Sequence, residues 1–184
     1  MTCPFIYSEH TPRPIGADGW GSNLNFDNLL VAAQANKGVY AYIQILRSGF
    51  IEAVEALTLE PKPSQHTGQP PARIIPSIAW EKRIIEAVPS YLKALEKLRL
   101  PPPYVASISL LNFRHYIMYV GPTYDGHGPH PVDRDHLLAD EILIESITES
   151  PDRLLRPLFD QIWNACGWLG SINYDEAGKW TERR

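Results

Sequence analysis

Prolines decide where this chain can hold regular structure. Most of its 17 prolines gather at positions 4–14, 61–76, 101–103 and 122–131. A proline has no N–H to donate and crowds the preceding turn, so neither a helix interior nor a central strand runs through such a cluster. The clusters are element boundaries, and the segments between them must supply the fold. With 184 residues the chain reads as one domain, large enough to bury roughly 70% of its unfolded surface without staples. A hydrophobic fraction of 44% and a charged fraction of 21% are those of a globular protein rather than a disordered one.

The strongest local signal is Val39 to Arg47 followed, after Ser48-Gly49, by Phe50 to Leu57. Two runs rich in β-branched and aromatic residues around a Gly-containing pair predict a β-hairpin. A type I′ turn and a type I turn with left-handed Gly49 forming a bulge both suit the pair. Blurred alternation in the first run predicts a central strand covered on both faces. Before it, Asp27 is a candidate cap for a short apolar helix over Asn28–Ala35.

After the Pro-rich 61–76 loop, Trp80, Ile84, Val88, Leu92, Leu95 and Leu98 recur at helical spacing. They predict a helix over Ala79–Leu100 with Ser77 as cap, kinked or divided at Pro89 and stopped by Pro101. Tyr104–Val120 alternates as one strand, or two bent near Asn112, and Glu141–Ile147 reads as a further strand. Ser150-Pro151-Asp152 opens a second helix whose apolar face runs from Leu154 to Cys166, with a bend near Pro157 and a stop at Gly167. The expected fold is therefore α+β: a mostly antiparallel sheet with a central β-hairpin and two main helices packed on it. The domain spans 1–184, with an irregular wrap over 1–26 anchored by Trp20 and Phe26. An α+β core fills 27–170, and a tail over 171–184 packs back through Tyr174 and Trp180.

Composition narrows the function classes. A net charge of −4 argues against a dedicated nucleic-acid coat, which draws affinity from clustered Lys and Arg. Cys3 and Cys166 are far apart and form no CxxC pair, which fits a reducing cytoplasm. No apolar run nears the ~20 residues of a membrane span, and no signal peptide opens the chain. P-loop, GxGxxG, GxSxG and HExxH motifs are missing.

Three groups of residues remain as candidates. Imidazoles and carboxylates in the 124–136 loop, His127, His130 and Asp133, with Glu145 beyond it, are the metal-ligand types present. A solvated Gly/Pro loop is the plainer account of the first three, and acids on an edge strand that of Glu145. Arg47, Arg114, His115 and Arg134 form a candidate anion or nucleic-acid contact, against the plainer reading of solvent-facing turns. Cys166 closes an apolar helical stripe and reads as core rather than nucleophile. No catalytic residue and no cofactor is assigned.

Several strings occur together: Asn25-Phe26-Asp27, Gln44 to Val54 across the hairpin, Val132-Asp133-Arg134-Asp135, Leu158 to Ala165, Ser171-Ile172-Asn173-Tyr174-Asp175 and Gly178-Lys179-Trp180. This set resembles the C-terminal region of bacterial proteins carrying an AlbA-like, Schlafen-type DNA-binding module at their N-terminus. Members of that family are described as ATP-binding or helix-turn-helix proteins. The likeness runs from about residue 18 to 180 and leaves that module out. It implies a non-enzymatic interaction, sensing or regulatory domain working beside a nucleic-acid-binding partner, in transcription regulation or antiviral defence, or associating with itself. Two alternatives come from the residues: a metal-dependent hydrolase or nuclease using 125–145, and direct nucleic-acid binding.

Overall fold

A computed structural model describes residues 11–24, 26, 28–36, 38–63, 70–121 and 130–182. It is an α+β structure with two helices and mostly antiparallel strands. Contacts divide it into two compact units, Met1–Leu57 with Arg83–Pro102, and Thr58–Lys82 with Pro103–Arg184. Among the described residues, no helix is long and apolar enough to cross a membrane.

The first unit holds a four-stranded antiparallel sheet in the order β1-β2-β3-β4. Its strands are β1 (Gly21–Leu24), β2 (Asn28–Ala35), β3 (Gly38–Leu46) and β4 (Ile51–Glu55). The hairpin is β3–β4, with Ile45 opposite Ile51 and Ala41 opposite Glu55. Gly49 has φ +90°, its N–H donates to Leu46 C=O at 3.0 Å, and Leu46 N–H donates to Phe50 C=O at 2.9 Å. Arg47 and Ser48 are not among the residues with positive φ, so the turn is the bulged type rather than type I′. β3 lies inside the sheet and alternates cleanly, with Ala41, Ile43 and Ile45 buried.

Two expectations are corrected here. Asn28–Ala35 is a strand, not a helix: Leu29, Val31 and Ala33 point into the core at a period of two while the backbone pairs with β3. The proposed cap Asp27 lies outside the described residues. Residues 21–24, expected to be irregular, form edge strand β1. Its Gly-Ser-Asn-Leu sequence carries no strand propensity, and the backbone of β2 imposes the pairing.

Helix α1 (Ser77–Lys97) packs Ala94 against Leu29, Val31, Ile43 and Ile45 of this sheet, with Tyr91 and Leu98 alongside. It begins at Ser77 itself and runs through Pro89 undivided. Beyond Lys97, Arg99 turns left-handed at φ 59°. Leu100 N–H then bonds Leu95 C=O and Arg99 N–H bonds Glu96 C=O, a Schellman closure.

In the second unit, β5 (Ile74–Pro76) pairs in parallel with β8 (Ile117–Tyr119). β6 (Tyr104–Ala106) pairs with β10 (Ile142–Ile144), and β7 (Ser109–Leu111) with β9 (His136–Leu138), both antiparallel. Residues 104–111 and 136–144 thus form one long ribbon, joined by Ala139 N–H to Ile108 C=O at 3.0 Å. Tyr104–Val120 holds three short strands, and it bends near Asn112 as expected: Asn112 and His115, at φ 60° and 70°, turn the chain out of extended geometry between β7 and β8.

Helix α2 (Pro151–Ala165) buries Leu154, Leu155, Leu158, Phe159, Ile162 and Trp163 along one face and is not broken at Pro157. Ser150 makes no side-chain bond to the helix backbone; its hydroxyl turns to the Asp152 carboxylate. Gly167, at φ 82°, closes the helix through Trp168 N–H to Trp163 C=O at 3.0 Å. Trp80 meets Phe159 edge-on at 5.2 Å.

Candidate functional site

Glu81 is 0% exposed, and it sits on the helix stripe that also carries Trp80, Ile84 and Val88. A buried carboxylate costs several kcal/mol unless hydrogen bonds replace its water. Four do so here. Trp163 Nε1 and Ser171 Oγ each lie 2.7 Å from Oε1. Asn173 Nδ2 and Trp180 Nε1 each lie 2.7 Å from Oε2. None of these partners is a cation. Burial pushes the Glu81 carboxyl up, against the downward pull of Asn173, Ser171, Trp180 and Trp163.

Three of the four donors come from the segment after α2, which folds into a small hairpin. Tyr174 and Trp180 pair across it, and Thr181 N–H bonds Asn173 C=O at 2.7 Å. Helix α2 holds it from below. Tyr174 Oη donates to Asp152 C=O at 2.6 Å, Trp180 N–H to Asp152 Oδ2 at 3.0 Å, and Ser171 N–H to Asp160 Oδ1 at 2.8 Å. The Arg156 guanidinium lies 4.9 Å over the Tyr174 ring. The tail therefore packs back through Tyr174 and Trp180, as their side chains predict. Sequence reading missed Glu81, whose signal is a lone acid on an otherwise apolar helical stripe.

The residues nominated from sequence are distributed differently. Arg114, His115 and Arg134 lie on two loops tied together by Phe113 N–H to Asp135 C=O and His115 N–H to Val132 C=O, each 2.8 Å. Arg114 Nε bonds Asp135 Oδ1 at 3.1 Å, and Arg134 Nε bonds Asp133 Oδ1 at 2.9 Å. These guanidiniums hold Asp135 and Asp133 below the usual carboxylate range. Each arginine thus already has an acidic partner. Arg47 is exposed on the hairpin turn of the first unit.

Of the metal candidates, His127 lies outside the described residues. The His130 ring is close against Gly167, Asp133 pairs with Arg134, and Glu145 is exposed after β10. Among the described residues, no three His, Cys, Asp or Glu side chains gather as a metal site. Cys166 is buried, and burial pushes its thiol up to about 12, which suits packing and not nucleophilic attack.

One surface remains conspicuous. Along the ribbon, 104, 106, 108 and 110 point inward, while 105, 107, 109 and 111 face solvent together with 136, 138, 141 and 143. That outward face carries Val105, Leu111, Leu138 and Leu143, exposed by 61%, 62%, 70% and 57%. Val105 and Leu143 are direct cross-strand neighbours.

Comparison with protein-family models, with curated proteins and with solved structures gives no match. The chemistry of the site is therefore read from its own geometry. Glu81 is a saturated internal anchor, and the ribbon face is an apolar surface left open among the described residues.

Proposed function

We propose that the chain is a non-enzymatic interaction domain that docks a protein partner through the outward face of the 104–111/136–144 ribbon. The observation that carries this reading is the row of Val105, Leu111, Leu138 and Leu143, all more than half exposed on a hydrogen-bonded ribbon. Single exposed leucines are ordinary, but large side chains aligned on one rigid face mark a contact surface. A catalytic reading finds less support, since the buried Glu81 is fully engaged and Arg114 and Arg134 are paired with Asp135 and Asp133. The sequence resemblance suggests the kind of partner: a protein bearing a nucleic-acid-binding module, in a regulatory or defence setting.

The test is a nuclease-treated pull-down from native extract, followed by light scattering on the reconstituted pair. The same experiment is run with a Leu111→Asp/Leu138→Asp variant. Both side chains are exposed, so the variant should keep wild-type stability within about 0.5 kcal/mol. A nucleic-acid-binding protein retained stoichiometrically by the wild type and lost by the variant supports the proposal. Equal binding by both, or a metal-dependent hydrolytic activity of the chain alone, overturns it.

A further inference from the structure

Three of the four groups turn N–H donors to Glu81: the indole N–H of Trp163, the indole N–H of Trp180 and the side-chain nitrogen of Asn173. The fourth, the Ser171 hydroxyl, can donate or accept. It already accepts the Asn173 backbone N–H at 3.3 Å and has a second lone pair. Oε2 faces two N–H donors, so a proton placed there would meet two hydrogens while the Asn173 amide keeps this orientation. Oε1 faces one obligate donor and the one reversible group.

We propose that Glu81 and Ser171 form a proton switch. In the ionised state Ser171 donates to Oε1; in the neutral state Oε1 carries the proton and donates to Ser171 Oγ, and the C-terminal hairpin stays docked in both. Asn173 and Trp180 bond Oε2 in either state, so the attachment of the hairpin does not depend on the charge.

The surroundings favour a carboxyl that takes up a proton. Helix α1 brings Lys82, which pairs with Glu182. Helix α2 brings Asp152, Arg156 and Asp160, with Arg156 Nε 3.6 Å from Asp160 Oδ2. The hairpin brings Tyr174, Asp175 and Lys179. No cation among these bonds Glu81. Burial, then the charges of Glu81, Asp152 and Asp160, push the Tyr174 phenol up, so three carboxylates act on one small region. A neutral Glu81 relieves both its own desolvation and that repulsion.

The experiment is NMR of the full chain between pH 5 and 9, following the Glu81 side-chain carboxyl carbon, the Trp163 and Trp180 indole N–H groups and amide exchange at Lys179 and Thr181. One transition shared by the carboxyl carbon and the indoles is expected, above the ordinary carboxylate range. The Trp163 proton moves upfield, because its acceptor oxygen gains the proton, and the Trp180 proton moves less. Exchange protection at Lys179 and Thr181, corrected for the intrinsic pH effect, stays constant. Glu81→Gln offers its carbonyl to Asn173 and Trp180 and its amide to Ser171, and so should abolish the transition with the hairpin docked. A carboxyl carbon that does not move overturns the switch. So does a tenfold loss of protection through the transition, or a transition that persists in a folded Glu81→Gln chain. If that variant does not fold, the wild-type titration decides alone.

Discussion

Glu81 occupies a helix position where an aliphatic side chain would ordinarily serve, and four donors are built to meet it. Glu81→Ala removes the acceptor and strands these groups in a buried place. At about 1–3 kcal/mol for each unsatisfied donor, the loss is comparable to a whole folding free energy of about 5–15 kcal/mol. The alanine variant is expected to be insoluble or unfolded by far-UV circular dichroism. Glu81→Gln loses one acceptor, for Trp163, and should fold with stability lowered by about 1–3 kcal/mol. The pH dependence has a definite sign. Burial raises the carboxyl in the folded chain, so just above its ordinary range the folded state keeps a proton that the unfolded state has lost. The stability from this group is complete at low pH and declines as pH rises through the folded value. Asp152 works the other way. Burial alone would raise it, but hydrogen bonds from Ser150 and from the Trp180 and Arg153 N–H groups hold it low. Its contribution is lost as pH falls through its folded value. Urea unfolding across pH 5–9 should show a decline with rising pH in the wild type that Glu81→Gln abolishes.

At the scale of elements, glycine fixes the ends that proline only permits. Gly49 sits at φ +90°, and a Cβ there would also run into the Leu100 side chain. Gly49→Ala therefore costs about 1–2 kcal/mol for the left-handed backbone alone, and displacing Leu100 adds to it. Thermal unfolding of this variant should fall by several degrees; an unchanged midpoint would mean that the turn relaxes to another type. The hairpin and helix α2 were legible in the sequence because local features specify them: a Gly at a left-handed turn, and Leu154 to Cys166 on one helical face between Pro151 and Gly167. Strand β2 was not. Leu29-Leu30-Val31-Ala32-Ala33 suits a helix as well as a strand, and only pairing with β3 decides. β1 is less legible still, since backbone bonding alone makes Gly21–Leu24 a strand. The Glu81 cluster joins residues 82 to 99 positions apart, so no local window contains it. Trp163, Ser171, Asn173 and Trp180 stand in separate strings, and nothing local marks them as one binding shell.

On the scale of the whole molecule, helix α1 is shared: residues 77–82 belong to the second unit and 83–97 to the first. If the second unit unfolded alone, the helix would lose the turn that Glu81 and Trp80 anchor. Arg83–Lys97 would remain, with Pro89 near its middle. A helix that short is marginal in water, and an interior proline costs it about 3 kcal/mol more. The cover that Tyr91 and Ala94 provide over Leu29, Val31, Ile43 and Ile45 would weaken with it. The two units should therefore unfold together. Tryptophan emission reports mainly the second unit, which holds Trp80, Trp163, Trp168 and Trp180, while hydrogen exchange of β3 amides reports the first. In a urea titration both should give one midpoint, and Glu81→Gln, a change confined to the second unit, should lower both equally. If emission is lost while β3 stays protected, residues 77–82 melt separately, and the sheet holds residues 83–97 of α1 without them.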